Sequence, residues 1–162
     1  MMRTRSTKES NKELFDGVKT VLVIDWPSKE VPELLALAGF SVVVHGGPGP
    51  EDYSGYEVEV KDNKVVSRRI GRPPEHAELV YSYRPLSELS ETIAAAKQVR
   101  AKMLWTQSGI SPDGQKGQKG CWLPDEELRS VRNQVEAAGL IYITEPYIGD
   151  VVRELLASRQ QR

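Results

Sequence analysis

The stretch VLVIDWPSKEVPELLALAGFSVVVHGG, from Val21 to Gly47, decides the fold. A continuous apolar and β-branched segment over 20–24 opens it, which predicts a strand buried on both faces, as in a parallel sheet. Ser28 is placed to cap a helix over 29–38. A second buried strand follows over 40–44. The stretch is therefore a β-α-β unit, but its first turn reads Asp-Trp-Pro-Ser where a nucleotide-binding turn would be rich in glycine.

Outside this unit the same alternation of strands and helices continues. The predicted elements are a β-hairpin with strands over 56–60 and 64–68, three further strands over 78–83, 102–106 and 140–144, a helix capped by Ser87 that runs to Val99, and helices over 124–138 and 148–156. Such alternation indicates an α/β fold. We predict a Rossmann-like doubly wound, mainly parallel sheet with an inserted β-hairpin, which we place at the edge of the sheet or off it because its outward residues are charged.

Length and composition are those of one globular domain. The 162 residues are 39% apolar and 28% charged, with a net charge of −1. We expect a single domain over 10–157, flanked by tails over 1–9 and 158–162. The near-neutral charge gives no basic surface for nucleic acid, and no apolar segment approaches the ~20 residues of a membrane helix. A lone cysteine, Cys121, favours a reducing, cytoplasmic setting.

Candidate binding residues follow from the fold. In doubly wound sheets, ligands bind beyond the carboxyl ends of the strands, at the point where the strand order reverses. The residues on those loops are Asp25, Trp26, Pro27 and Ser28, then His45, Gly46, Gly47 and Pro48, then Arg84 and Pro85, and finally Gln107, Ser108 and Gly109.

The first of these loops is unfavourable for phosphate. Asp25 ends its strand where a phosphate would lie closest, and would repel it by about 1 to 4 kcal/mol depending on exposure. The alternative is a local role, in which Asp25 and Ser28 cap the helix and Trp26 packs on the surface. His45 is placed to hydrogen-bond a ribose or a phosphate, or to serve only in packing.

The later loops offer hydrogen-bond donors. Arg84 has the planar fork that pairs with phosphate, although a surface salt bridge is the alternative. Gln107 and Ser108 can donate to a ligand that Gly109 lets approach the backbone, or they form a plain turn. These patterns alone leave both interpretations open.

Catalytic and metal-binding signatures are weak. His45 and His76 lack the spacing of metal ligands with Cys121, and no Gly-x-Ser-x-Gly elbow occurs. We therefore assign no catalytic residue and no metal ligand, while an enzyme that uses Asp25 or His45 as a base stays open. NAD(P) is a weaker alternative ligand because Gly-x-Gly-x-x-Gly is absent.

Several of these segments together resemble a known family. The stretches LFDGVKTVLVID, AELVYSYRPLSEL, AKMLWTQSGI and AAGLIYITEPYI are similar to segments of the small single-domain coenzyme A-binding proteins, relatives of the CoA-binding domain of succinyl-CoA synthetase. The resemblance covers about residues 10–152. It implies a Rossmann-like fold and a nucleotide-type ligand, coenzyme A or an acyl-CoA, bound near Ser28, Arg84 and the loop after the second strand.

The chain also departs from that family. Asp-Trp-Pro-Ser replaces the usual Gly-x-Ser of the first loop, and His45 to Pro48 replaces Val-Asn-Pro. The leading hypothesis is a non-catalytic, regulatory binding module for coenzyme A. The alternatives are a protein-interaction module of the same fold that has lost its ligand and an uncharacterised enzyme. A homodimer formed through the hairpin is a further expectation.

Overall fold

A computed structural model describes residues 13–26, 28–46, 51–107, 115 and 123–160. Its strands and helices, in chain order, are β1 (Thr20–Ile24), α1 (Glu30–Leu37), β2 (Ser41–His45), β3 (Tyr53–Glu59), β4 (Lys64–Arg69), β5 (Leu79–Ser82), α2 (Leu89–Gln98), β6 (Met103–Thr106), α3 (Asp125–Ala137), β7 (Ile141–Ile143) and α4 (Ile148–Gln160). None of the helices in these ranges is long and apolar enough to cross a membrane.

One mixed sheet organises the described part of the chain. Its seven strands lie in the order β4-β3-β2-β1-β5-β6-β7. β2, β1, β5, β6 and β7 run parallel to one another, whereas β3 pairs antiparallel with both β2 and β4. The chain moves to one side of β1 to form β2 and crosses to the other side to form β5. The doubly wound, mainly parallel sheet with a hairpin at its edge is thus confirmed.

Helices cover both faces of the sheet. Alternate residues of each strand point to opposite faces. On one face, Val23 and Trp105 pack with α1 and α4, and on the other Leu22 and Leu104 pack with α2 and α3. All four side chains are essentially inaccessible to water. Two buried faces explain why the central strands are continuously apolar rather than alternating.

The hairpin closes over a left-handed residue, as its sequence predicts. Asn63 has a φ of 51°, a conformation that asparagine tolerates better than most residues. Glu59 pairs with Lys64 at its closed end. β4 pairs with β3 on one side and forms the outer edge of the sheet. The homodimer expected through this edge stays a prediction.

Both predicted serine caps are wrong. The residue before α1 is Lys29, which has helical backbone angles and makes no side-chain capping bond. The carbonyl oxygen of Ser28, and not its hydroxyl, accepts a hydrogen bond from the Val31 N–H at 3.2 Å. Ser87 lies within a single 3₁₀ turn, Leu86–Glu88, that precedes α2. In both places the N-cap position is the residue after the serine, Lys29 for α1 and Glu88 for α2, so the helix begins one residue too late for the serine to cap it.

The C-terminal boundary also differs from the expectation. We expected a helix that ends at 156 and a tail from 158. α4 instead continues to Gln160. The segment from 157 has no glycine or proline to stop the helix, so the last turns extend the same helical register.

Candidate functional site

A cleft of about 770 Å³ opens beyond the carboxyl ends of β1, β2 and β5. It lies where the strand order reverses, which is the position expected for a ligand in this fold. Its walls are formed by Ile24, Asp25, Trp26, His45, Gly46, Tyr53, Arg84, Glu88, Glu91, Thr92 and Ala95. Five residues predicted from the sequence, namely Asp25, Trp26, His45, Gly46 and Arg84, are therefore brought together.

Asp25 begins the first loop in an unusual backbone conformation. Its φ is 58°, in the left-handed region that glycine adopts most easily. One carboxylate oxygen, Oδ1, accepts the N–H of Trp26 at 2.8 Å, and such local bonds help aspartate to tolerate this region. The other, Oδ2, accepts a bond from Nη1 of Arg84 at 3.1 Å. Asp25 thus stabilises the turn through one oxygen and holds the Arg84 side chain through the other.

Arg84 is held by two carboxylates. Its Nη2 and Nε donate to the two oxygens of Glu88, at 2.6 and 3.3 Å, while Nη1 donates to Asp25. These hydrogen bonds raise the pKa of Arg84, and the bonds to Glu88 have a larger effect than the bond to Asp25. The guanidinium therefore stays charged, but protein carboxylates occupy the fork that would hold a phosphate.

The described walls of the cleft are acidic. Among the wall residues that the structure describes, Asp25, Glu88 and Glu91 contribute three carboxylates and Arg84 contributes one guanidinium. These four side chains together carry two net negative charges. A polyphosphate placed here would be repelled by this net charge, and its pairing with Arg84 would compete with the carboxylates already bonded there.

An aromatic surface forms the opposite wall. His45 and Tyr53 are paired residues of β2 and β3, and their ring centroids lie 4.5 Å apart at an angle of 31°. The indole of Trp26 covers Gly46, where a Cβ atom would lie only 3.0 Å from the ring. Glycine at this position therefore lets Trp26 pack against the backbone. The result is a wall on which a planar ring can stack.

Six of the eleven wall residues were missed by the sequence analysis, and Glu88, Glu91 and Tyr53 are the three with ionisable side chains. Glu88 follows Arg84 by four residues, the spacing of a helical ion pair, so this signal was present in the sequence. Glu91 lies one turn further along the same segment. Tyr53 reaches the cleft only through the register of β3 on β2, which no local pattern reveals.

Gln107 does not line the cleft. Its side chain is 2% exposed. Its Oε1 accepts the Tyr81 hydroxyl at 2.8 Å and the Ile148 N–H at 3.4 Å, and its Nε2 donates to the Pro146 carbonyl at 3.3 Å. The amide therefore ties β5 and β6 to the start of α4. This geometry favours a positioning role over the ligand contact expected from the sequence.

The other predicted residues divide into two groups. The hydroxyl of Ser28 is buried, and neither Ser28 nor Pro85 lines the cleft. Pro27, Gly47, Pro48, Ser108 and Gly109 lie outside the described residues, as does Cys121. Within the ranges that the structure describes, no group of three or more His, Cys, Asp or Glu side chains is placed to hold a metal ion.

Comparisons with known proteins identify the fold. No protein-family model matches the chain, and no curated protein sequence does. Similar solved structures include Prb, a protein redesigned for binding, at 17% identity over 96% of each chain with a TM-score of 0.56. A Thermus thermophilus protein matches at 15% identity over 92% of this chain and 98% of its own, with a TM-score of 0.55.

A third similar structure is a hypothetical protein from Pyrococcus horikoshii OT3. It is 18% identical, and the match covers 96% of this chain and 99% of that one with a TM-score of 0.51. At these identities the likeness shows the Rossmann-like α/β fold and extends over nearly the whole chain.

Proposed function

We propose that this chain is a non-catalytic binding module for a nucleotide-type ligand, coenzyme A or an acyl-CoA, held in the cleft beyond β1, β2 and β5. The observation that carries the proposal is the convergence of Asp25, Trp26, His45, Gly46 and Arg84 at the point of strand-order reversal. The cleft volume of about 770 Å³ lies within the range of small-molecule sites. The resemblance of the strand ends to the coenzyme A-binding proteins supports the ligand class.

The walls match the two ends of such a ligand. The adenine ring would stack on the aromatic surface of Trp26, His45 and Tyr53. The pyrophosphate would pair with Arg84, the cation among the wall residues that the structure describes, after Arg84 leaves Asp25 or Glu88. The three side chains of this ion-pair group are 32–45% exposed. Exposed pairs of this kind contribute about 0.2 to 1 kcal/mol, so the exchange costs little compared with two charge-assisted bonds to phosphate.

Thermal unfolding against a panel of ligands tests the proposal. The panel is coenzyme A, acetyl-CoA, NAD, NADP, FAD and ATP, with buffer alone as reference. A ligand present at a hundredfold over its Kd adds about 2.7 kcal/mol to the free energy of unfolding. At about 2 to 4 °C per kcal/mol, Tm should rise by roughly 5 to 10 °C with coenzyme A species. No rise with either of them would contradict the proposal.

Removal of the guanidinium should weaken coenzyme A binding. We expect Arg84→Ala to raise the Kd at least about tenfold, because each charge-assisted hydrogen bond contributes about 1.5 to 3 kcal/mol. Isothermal titration calorimetry measures the change. Arg129→Ala is the matched control, since Arg129 is an exposed arginine of α3 outside the cleft walls. An unchanged Kd in Arg84→Ala would refute the assigned phosphate position.

The geometry does not favour a catalytic base at Asp25. Both of its oxygens already accept hydrogen bonds, one from Trp26 and one from Arg84. A general base must lie within hydrogen-bond reach of the proton that it removes, and each oxygen of Asp25 already has one of its lone pairs engaged by the protein. This arrangement is therefore more consistent with binding than with turnover.

A further inference from the structure

The geometry points to Asp25 as the residue that sets the charge preference of the cleft. We infer that its carboxylate occupies Arg84 in the place of a ligand anion and thereby lowers the affinity for phosphate-bearing ligands. This inference rests on the proposed function, because it concerns the same cleft and the same arginine. It adds the expectation that the natural chain binds phosphate-bearing ligands less tightly than a chain with an uncharged side chain at this position.

The sheet fixes Asp25 and Arg84 opposite each other. Ile24 and Ser82 are paired residues at the ends of the neighbouring strands β1 and β5. The Tyr83 N–H donates to the Ile24 carbonyl at 3.1 Å, which extends the pairing one residue further. The two side chains therefore leave adjacent strand ends and meet at 3.1 Å between Oδ2 and Nη1.

An incoming anion would meet both groups of this pair. Both side chains are a little under half exposed, so the pair is accessible from the cleft. Nη1 carries two hydrogens, so a phosphate that approaches it either displaces the Asp25 oxygen or shares the nitrogen with it, and in both cases the phosphate lies a few ångströms from the carboxylate. The ligand is thus opposed by competition for the same donor and by direct repulsion.

The backbone indicates that the carboxylate is separable from the turn. At a φ of 58°, glycine is the residue with no steric cost, and asparagine and aspartate are tolerated. The bond that supports the turn uses Oδ1, whereas the bond to Arg84 uses Oδ2. Asparagine retains an oxygen acceptor for the Trp26 N–H, while an NH2 group replaces the oxygen that accepts from Arg84, so Asp25→Asn removes the charge and releases Arg84 but keeps the bond that supports the turn.

Glu91 provides a matched comparison. It lines the same cleft and carries the same charge. The guanidinium of Arg84 bonds to Asp25 and Glu88 and not to Glu91. A general effect of negative charge would appear in Glu91→Gln as well, whereas occupation of Arg84 would appear only in Asp25→Asn.

The experiment is calorimetric titration of the natural chain, Asp25→Asn and Glu91→Gln with coenzyme A and with inorganic pyrophosphate. Circular dichroism and Tm first confirm that each variant is folded. We expect Asp25→Asn to bind both probes at least tenfold more tightly than the natural chain. We expect Glu91→Gln to gain at least threefold less affinity than Asp25→Asn, because it removes a wall charge but leaves Arg84 paired with Asp25.

The outcomes separate the inference from the proposed function. Equal affinities of the natural chain and Asp25→Asn for coenzyme A would overturn the inference and leave the proposed function standing. Equal gains in affinity by Asp25→Asn and Glu91→Gln would also overturn the inference, because they would indicate a general electrostatic effect of negative charge in the cleft. Tighter pyrophosphate binding by Asp25→Asn without any coenzyme A binding would support the inference and refute the proposed ligand. Binding of neither probe by any form would overturn both.

Discussion

Replacement of Gln107 by leucine is expected to lower the free energy of unfolding by about 2 to 4 kcal/mol. The two side chains are similar in size, so the cost comes from lost hydrogen bonds and not from a cavity. The amide accepts bonds from Tyr81 and Ile148 and donates one to Pro146. Leucine offers none of these at a site where water is excluded, because Gln107 is 2% exposed. The link between β6 and the start of α4 would therefore weaken.

Urea denaturation followed by tryptophan fluorescence measures this loss. Trp105 is a suitable reporter because it is fully buried and its Nε1 donates to the same Pro146 carbonyl at 3.1 Å. The matched control is Gln98→Leu, at an exposed position near the end of α2, where the change should stay within about 0.5 kcal/mol. A loss in Gln107→Leu no larger than in this control would show that the buried network contributes little.

Glu78→Gln is the second change with a large expected effect, about 2 kcal/mol of destabilisation at neutral pH. Glu78 is 7% exposed and lies at the amino end of β5. Its Oε1 accepts the backbone N–H groups of Lys19 and Thr20, both at 2.9 Å, and its Oε2 lies 3.0 Å from Nδ1 of His76. Glutamine retains one acceptor oxygen but loses the charge that strengthens these bonds.

The same variant should change the acid dependence of stability. Burial by itself raises the pKa of Glu78, but the backbone N–H donors, Thr20 first and then Lys19, together with His76, outweigh it and leave the pKa lowered. A carboxylate whose pKa is lowered in the folded state stabilises the protein at pH values above its unfolded-state pKa of about 4.3. This contribution to stability is lost as the pH falls through the folded-state pKa.

Denaturation at a series of pH values between about 3 and 7 tests this dependence. The natural chain should lose stability towards acid more steeply than Glu78→Gln, since the variant has no carboxyl group to protonate there. Glu75→Gln is the control, because Glu75 is an exposed residue of the same segment. Parallel slopes for the natural chain and Glu78→Gln would mean that another carboxylate dominates acid unfolding.

The sheet was predictable because burial on both faces leaves a strong local signal. The apolar segment of β1 and the alternating hairpin with Asn63 at its turn are patterns of a few consecutive residues. The helix caps were not predictable at this level. Ser28 and Ser87 have the right chemistry, but each lies one residue before the N-cap position of its helix.

The candidate site was predictable in position and not in charge. Strand ends and strand-order reversal led to Asp25 and Arg84, whereas the pairing of Arg84 with Glu88 depends on the turn between β5 and α2. The orientation of Gln107 had a usable signal. It follows Trp105 by two residues, so strand alternation directs both side chains to the face covered by α1 and α4.

The left-handed turn at Asp25 has an evolutionary consequence. Glycine, asparagine and aspartate are the residues that this φ of 58° favours. In the genetic code, aspartate codons differ from those of asparagine and of glycine by a single base. A lineage can therefore gain or lose the negative charge at this strand end by point mutation, without refolding the turn. Descendants of one ancestral cleft would then diverge in the charge of their ligands while their backbones remained superimposable.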